Sequence, residues 1–157
     1  MRVRVAAIVV HEGRILLVST RRGKPGYLVP PGGGVEEGEG LAEAVEREVR
    51  EEAGLAVRAG KLLAYRELQM SRGPALELYL SACLDPGETP PDDPAEDRDV
   101  LWVALDELPG RPHFPGQLIE LARLSASGAS GALFLGTADL RAVVEASSMT
   151  QREANGE

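Results

Sequence analysis

Between Gly32 and Leu55 the chain reads GGGVEEGEGLAEAVEREVREEAGL. Ala42, Val45, Val49 and Ala53 recur there at spacings of three and four residues, which predicts a helix over residues 40–53 with one apolar stripe turned to a core. Gly54 follows where a helix ends most easily in a left-handed residue. The same segment holds eight glutamates and two arginines over residues 36–52, a net −6 in 17 residues, out of −8 for the whole chain. Like charges three or four apart on a helix repel by about 0.2–0.5 kcal/mol per pair. A fold built on this segment must bury one side of the helix and give the crowded charge a use.

Glu48, Glu51 and Glu52 fall on a single flank of the apolar stripe, with Ala44 between them adding no bulk. Carboxylates gathered beside a core suit a hard divalent cation with oxygen ligands, magnesium first and manganese as its substitute. Taken alone, such a helix also reads as a solvated acidic face. The preceding PPGGGVEEGEG adds a second signal, since Gly32, Gly33 and Gly34 allow a tight turn and a close approach of backbone to a ligand. The familiar phosphate loops are excluded: Gly23-Lys24 is followed by Pro25, and Gly38-x-Gly40 has Glu43 where the dinucleotide fingerprint requires glycine or alanine.

Gly33, five residues, Glu39, seven residues, then REVREEAGL from Arg47 to Leu55 is similar at all nine defined positions to the Nudix box, the signature of the Nudix hydrolases. The resemblance implies an α/β/α sandwich with a mixed sheet. It implies that Glu48, Glu51 and Glu52 bind divalent metal, with the Gly32 carbonyl as a further ligand, and that one of Glu51 and Glu52 takes the proton of the attacking water. Arg47 would pair with a glutamate of the box and Glu39 would serve the loop–helix junction. A later glutamate six residues before a tryptophan reaches the site in relatives, and Glu96 precedes Trp102 by six here. The implied reaction is metal-dependent hydrolysis of a pyrophosphate linkage in a nucleoside diphosphate derivative. A domain that senses a nucleotide metabolite without cleaving it is the alternative, although such domains usually lose box glutamates.

Around the box the pattern is that of a small α/β domain. Residues 2–10 and 14–20 are aliphatic and β-branched runs joined by HEG, a hairpin signal. YLVP at 27–30 is a short extended piece, residues 55–68 and 75–84 read as two strands about a turn, and VLWVAL at 100–105 as another. Residues 115–128 give a second helix, 131–136 a short strand and 138–146 a last helical segment. One domain is expected over residues 1–146, with a disordered tail over 147–157 that lacks apolar periodicity.

Arg21, Arg22 and Lys24, just before the glycines, are candidates to neutralise substrate phosphates, and Tyr27 to stack on a base. A single cysteine, Cys83, is expected to pack as a small core residue, and with no partner for a disulfide it points to a reducing cytoplasm. The acidic balance argues against a nucleic-acid polymer as partner, and the short apolar runs against a membrane. A small nucleotide is the expected partner, with a homodimer left open. The tags that resemble the ADP-ribose, dinucleoside polyphosphate, NADH and coenzyme A subgroups are missing, so the sequence does not single out a substrate.

Overall fold

The structure is a computed structural model that describes residues 1–20, 26–90 and 99–141. Strands β1 (Arg2–His11) and β2 (Arg14–Ser19) form the expected hairpin. Glu12 at φ 47° and Gly13 at φ 74° supply the two left-handed residues that match a tight turn to the twist of its strands. Then come β3 (Leu28–Val29), β4 (Gly32–Gly34), α1 (Leu41–Ala53), β5 (Val57–Met70), β6 (Gly73–Leu84), β7 (Val100–Ala104), a 3-10 turn (Leu108–Gly110), α2 (Leu118–Ala126) and β8 (Leu133–Asp139).

The main strand order is β3-β2-β1-β6-β5-β8, with β4 paired to β1 and β7 to β2. The β1–β6 and β5–β8 pairs are parallel and the rest antiparallel, so the sheet is mixed. Period-two alternation along β1 makes the layers. Val5, Ala7 and Val9 join Val45 and Val49 of α1 in one core, whereas Ala6 and Ile8 join Leu118 and Leu121 of α2 in the other. Buried on both faces, β1 reads as a continuous apolar run, as a central strand with parallel pairing should.

The structure departs from the sequence expectations in four places. Gly32–Gly34 is a strand rather than a tight turn, paired to Arg4–Ala6. The buried face of α1 is Ala44, Val45, Glu48 and Val49, while Ala42 is exposed, so Glu48 lies within the core-facing stripe and not beside it. Cys83 is exposed, because alternation along β6 turns Leu80 and Ala82 inward and Cys83 the other way. β8 runs through Ala138 and Asp139, which pair with Leu68 and Gln69, so the last helical segment starts two residues late, at Leu140 and Arg141, and its remainder lies outside the described residues. The predicted disordered tail lies outside the described residues.

Gly54 closes α1 at φ 70° and donates its N–H to the Arg50 carbonyl. The glycines of β4 have a different cause. A Cβ on Gly32 would stand 2.2 Å from the Val5 carbonyl oxygen and 2.8 Å from the Ala6 Cα, and one on Gly33 would stand 2.3 Å from Glu48 Oε1. Gly32→Ala is therefore expected to destabilise the fold by about 1–3 kcal/mol or more, as overpacking does. Gly33→Ala should destabilise less, since the end of a side chain yields more readily than backbone. Urea unfolding midpoints of the two variants give the order.

Candidate active site

One cleft of about 700 Å³ gathers the ends of several elements. Gly32 from β4, and Glu48, Glu51 and Glu52 from α1, form one part of its lining. Arg4, Glu77 and Tyr79 from β1 and β6 form another, with Leu68, Phe114 and Pro115 adding apolar surface. Residues of the six strands β1 to β6, of helix α1 and of the loops between elements thus meet on one space.

The acidic part is organised by Arg47. Its Nε donates to Glu39 Oε1 at 2.7 Å and its Nη2 to Glu39 Oε2 and the Gly34 carbonyl, both at 3.0 Å. Its Nη1 donates to Glu48 Oε1 at 2.8 Å and Glu51 Oε2 at 3.3 Å. Glu39 in turn accepts from the Glu36 backbone N–H at 3.0 Å, which ties the loop to the helix. These bonds hold the Glu39 carboxyl below the usual carboxylate range, with Arg47 the largest cause, and raise Arg47 above its ordinary value. The charge that crowds α1 is partly neutralised from inside the segment.

Glu52 stands apart from that fork and accepts a 3.3 Å bond from the Gly32 N–H. Burial pushes its carboxyl up to about 7, opposed by the Gly32 N–H and by Arg4 and reinforced by Glu48 and Glu51. Perturbation of this kind in a cleft is common at functional sites.

Tyr27 is 39% exposed and is not part of the cleft lining. Arg21, Arg22, Lys24 and Glu96 lie outside the described residues. Arg4, Glu77 and Tyr79 escaped the sequence reading. Their signal was present: in RVRVAAIVV and ALELYL, Arg4 and Glu77 occupy the same alternating positions as the inward Ala6 and Tyr79.

A profile of the NUDIX domain matches residues 1–122. The chain belongs to the Nudix family. The NAD-capped RNA hydrolase NudC of Stutzerimonas stutzeri is 32% identical over 105 residues, 67% of this chain and 37% of that protein. The human 8-oxo-dGDP phosphatase NUDT18 is 32% identical over 124 residues, 75% of this chain and 37% of that protein. This Nudix chain therefore spans little more than a third of the length of those relatives. The crystal structure of the mutator MutT protein from Bacillus halodurans superposes with a TM-score of 0.63 at 25% identity, covering 88% of this chain and 90% of that one.

Nudix hydrolases generally use divalent metal ions, and the donor set here suits one in kind: three carboxylates and Gly32 line one cleft. Among the described residues, no three of His, Cys, Asp and Glu are gathered closely enough to hold an ion in this arrangement.

Glu52 yields a pH prediction for the metal-free protein. Its folded value of about 7 lies above the ordinary 4.5, so between those limits the folded state binds the extra proton. Stability should then fall as pH rises from about 4.5 through 7. Glu52→Gln should flatten that decline and raise Tm at pH 8 by roughly 2 °C, the Tm shift that a modest gain brings in a domain of this size. Thermal melts in chelator from pH 5 to 8 test this, and equal pH profiles for the two proteins would contradict it.

Proposed function

We propose that the protein is a metal-dependent Nudix pyrophosphohydrolase that cleaves the phosphoanhydride of a small nucleoside diphosphate derivative or nucleoside triphosphate by attack of water at phosphorus. The observation that carries this reading is the opening of Gly32, Glu48, Glu51 and Glu52 onto the cleft that also exposes Arg4. Glu48, Glu51 and Glu52 are the residues proposed to hold magnesium or manganese, with the Gly32 carbonyl. The bound ion would supply Lewis-acid polarisation of the phosphate oxygens and a lowered pKa for the attacking water.

The chain's own residues divide the remaining work. One of Glu51 and Glu52, both exposed near the end of α1, accepts the proton of the attacking water. Arg47 holds Glu48 and Glu51 in place through one nitrogen. Leu68, Phe114 and Pro115 offer apolar surface for the nucleoside. Glu39 has its partners in Arg47 and the loop and serves position rather than chemistry.

A panel of nucleotide sugars, ADP-ribose, nucleoside di- and triphosphates and an NAD-capped RNA tests the reading. Hydrolysis of at least one free nucleotide is expected, dependent on magnesium or manganese and with oxygen-18 from water in a phosphate product. Label confined to a sugar, or full activity in excess chelator, would overturn the mechanism. Tight nucleotide binding with no turnover would replace hydrolysis by sensing.

Side-chain replacement gives the site its own test. Glu51→Gln and Glu52→Gln should each lower the rate by more than roughly a hundredfold, since loss of a metal-bound carboxylate should exceed the 10–100-fold typical of outer partners. Near-normal turnover of both at saturating magnesium would remove them from the site.

A further inference from the structure

Three charged residues cross the sheet in one row. Arg4 of β1 is in register with Glu77 of β6, and Glu77 is in register with Arg66 of β5. Glu77 and Arg66 are buried, at 8% and 5% exposure. Glu77 Oε1 lies 3.6 Å from Arg4 Nε, and Glu77 Oε2 accepts a 2.8 Å bond from the hydroxyl of Tyr79, itself buried. Two guanidinium groups thus flank one carboxylate, and the row carries a net positive charge.

The two ends of the row differ. Arg66 is closed off: its guanidinium lies 5.0 Å from the centre of the Phe114 ring, and its Nη2 donates to Gln117 Oε1 and the Leu135 carbonyl at 3.2 Å each. Arg4 is open. It lines the cleft and keeps its side chain 26% exposed, with its Nε turned to Glu77. An anion that reached the carboxylates of α1 through metal ions would find Arg4 beside Glu52 as the fixed positive charge of the same cleft.

We propose that Arg4 anchors a nonbridging phosphate oxygen of the substrate, and that Glu77, held by the Tyr79 hydroxyl, positions the Arg4 guanidinium for this contact. The anchor rests on the diphosphate reading of the cleft. Arg4 touches the substrate, whereas Glu77 and Tyr79 act through it. A planar fork of donors suits phosphate oxygens better than the point charge of a lysine.

Binding of inorganic pyrophosphate at saturating magnesium, measured by calorimetry, tests the anchor without turnover. Arg4→Gln should weaken pyrophosphate roughly tenfold to a hundredfold, the equivalent of one or two charge-assisted bonds, and Arg4→Lys by less. Magnesium alone should bind Arg4→Gln as it binds the wild type. Tyr79→Phe, assayed where melts show it fully folded, should also weaken pyrophosphate, which a purely structural tyrosine would not do. Unchanged pyrophosphate affinity in Arg4→Gln, no pyrophosphate binding to the wild type, or a loss matched by weaker magnesium binding would each overturn the proposal. A silent substrate panel with Arg4-dependent pyrophosphate binding would overturn hydrolysis and keep the anchor.

Discussion

Strand β4 pairs with β1 while α1 lies against it, and the room for both comes from missing Cβ atoms. Gly32 meets the backbone of Val5 and Ala6, and Gly33 meets the carboxylate of Glu48. With any larger residue at these two positions, the helix would stand further from the sheet and Glu48 would lose its buried place. The contact also fixes the acidic residues along the helix. Glu48 is pinned at Gly33, and Glu51 and Glu52, one turn on, are carried to the cleft, where the Gly32 N–H meets Glu52. Three glycines in a strand would ordinarily weaken it, and here burial of Val45 and Val49 against β1 offsets that weakness.

The cleft joins two electrostatic regimes. Along α1, carboxylates outnumber the arginines, and burial, reinforced by Glu48 and Glu51, pushes the Glu52 carboxyl up to about 7. Across the sheet, cations outnumber the single carboxylate of the row. Each buried charge there has an opposite neighbour, which keeps its desolvation tolerable, yet the surplus on either side is left facing the same space. A ligand that combines hard cations with phosphate oxygens presents both complements at once. This match narrows the chemistry of the occupant more than the shape of the cleft does.

The helix, its glycine stop and the β1–β2 hairpin were legible because each rests on a local rule: spacing of three and four, a left-handed terminus, two left-handed turn residues. The parallel β1–β6 pairing is a long-range fact, and period-two patterning does not disclose it. For that reason the row of Arg4, Glu77 and Arg66 was hidden, although each charge on an inward strand position was visible singly. The strand formed by Gly32–Gly34 was missed because glycine has low strand propensity, and what overrides it is contact with β1 and Glu48. Ala44 was misplaced by a related error. Centring the buried face on the apolar residues alone left out Glu48, which shares that face.

The five hydrogen bonds of Arg47 are not shared evenly over its guanidinium. Nε and Nη2 serve Glu39 and the Gly34 carbonyl, so they belong to the joint between loop and helix. Nη1 serves only the carboxylates of Glu48 and Glu51, with Glu36 further off at 3.9 Å. The planar group therefore behaves as a bracket with a fixed arm and a detachable one. Exchange of the counter-charge on Glu51, the exposed member of the pair, would leave in place the three bonds that fasten the loop. Assembly of the segment and exchange of its counter-charge are thereby mechanically separate within one side chain.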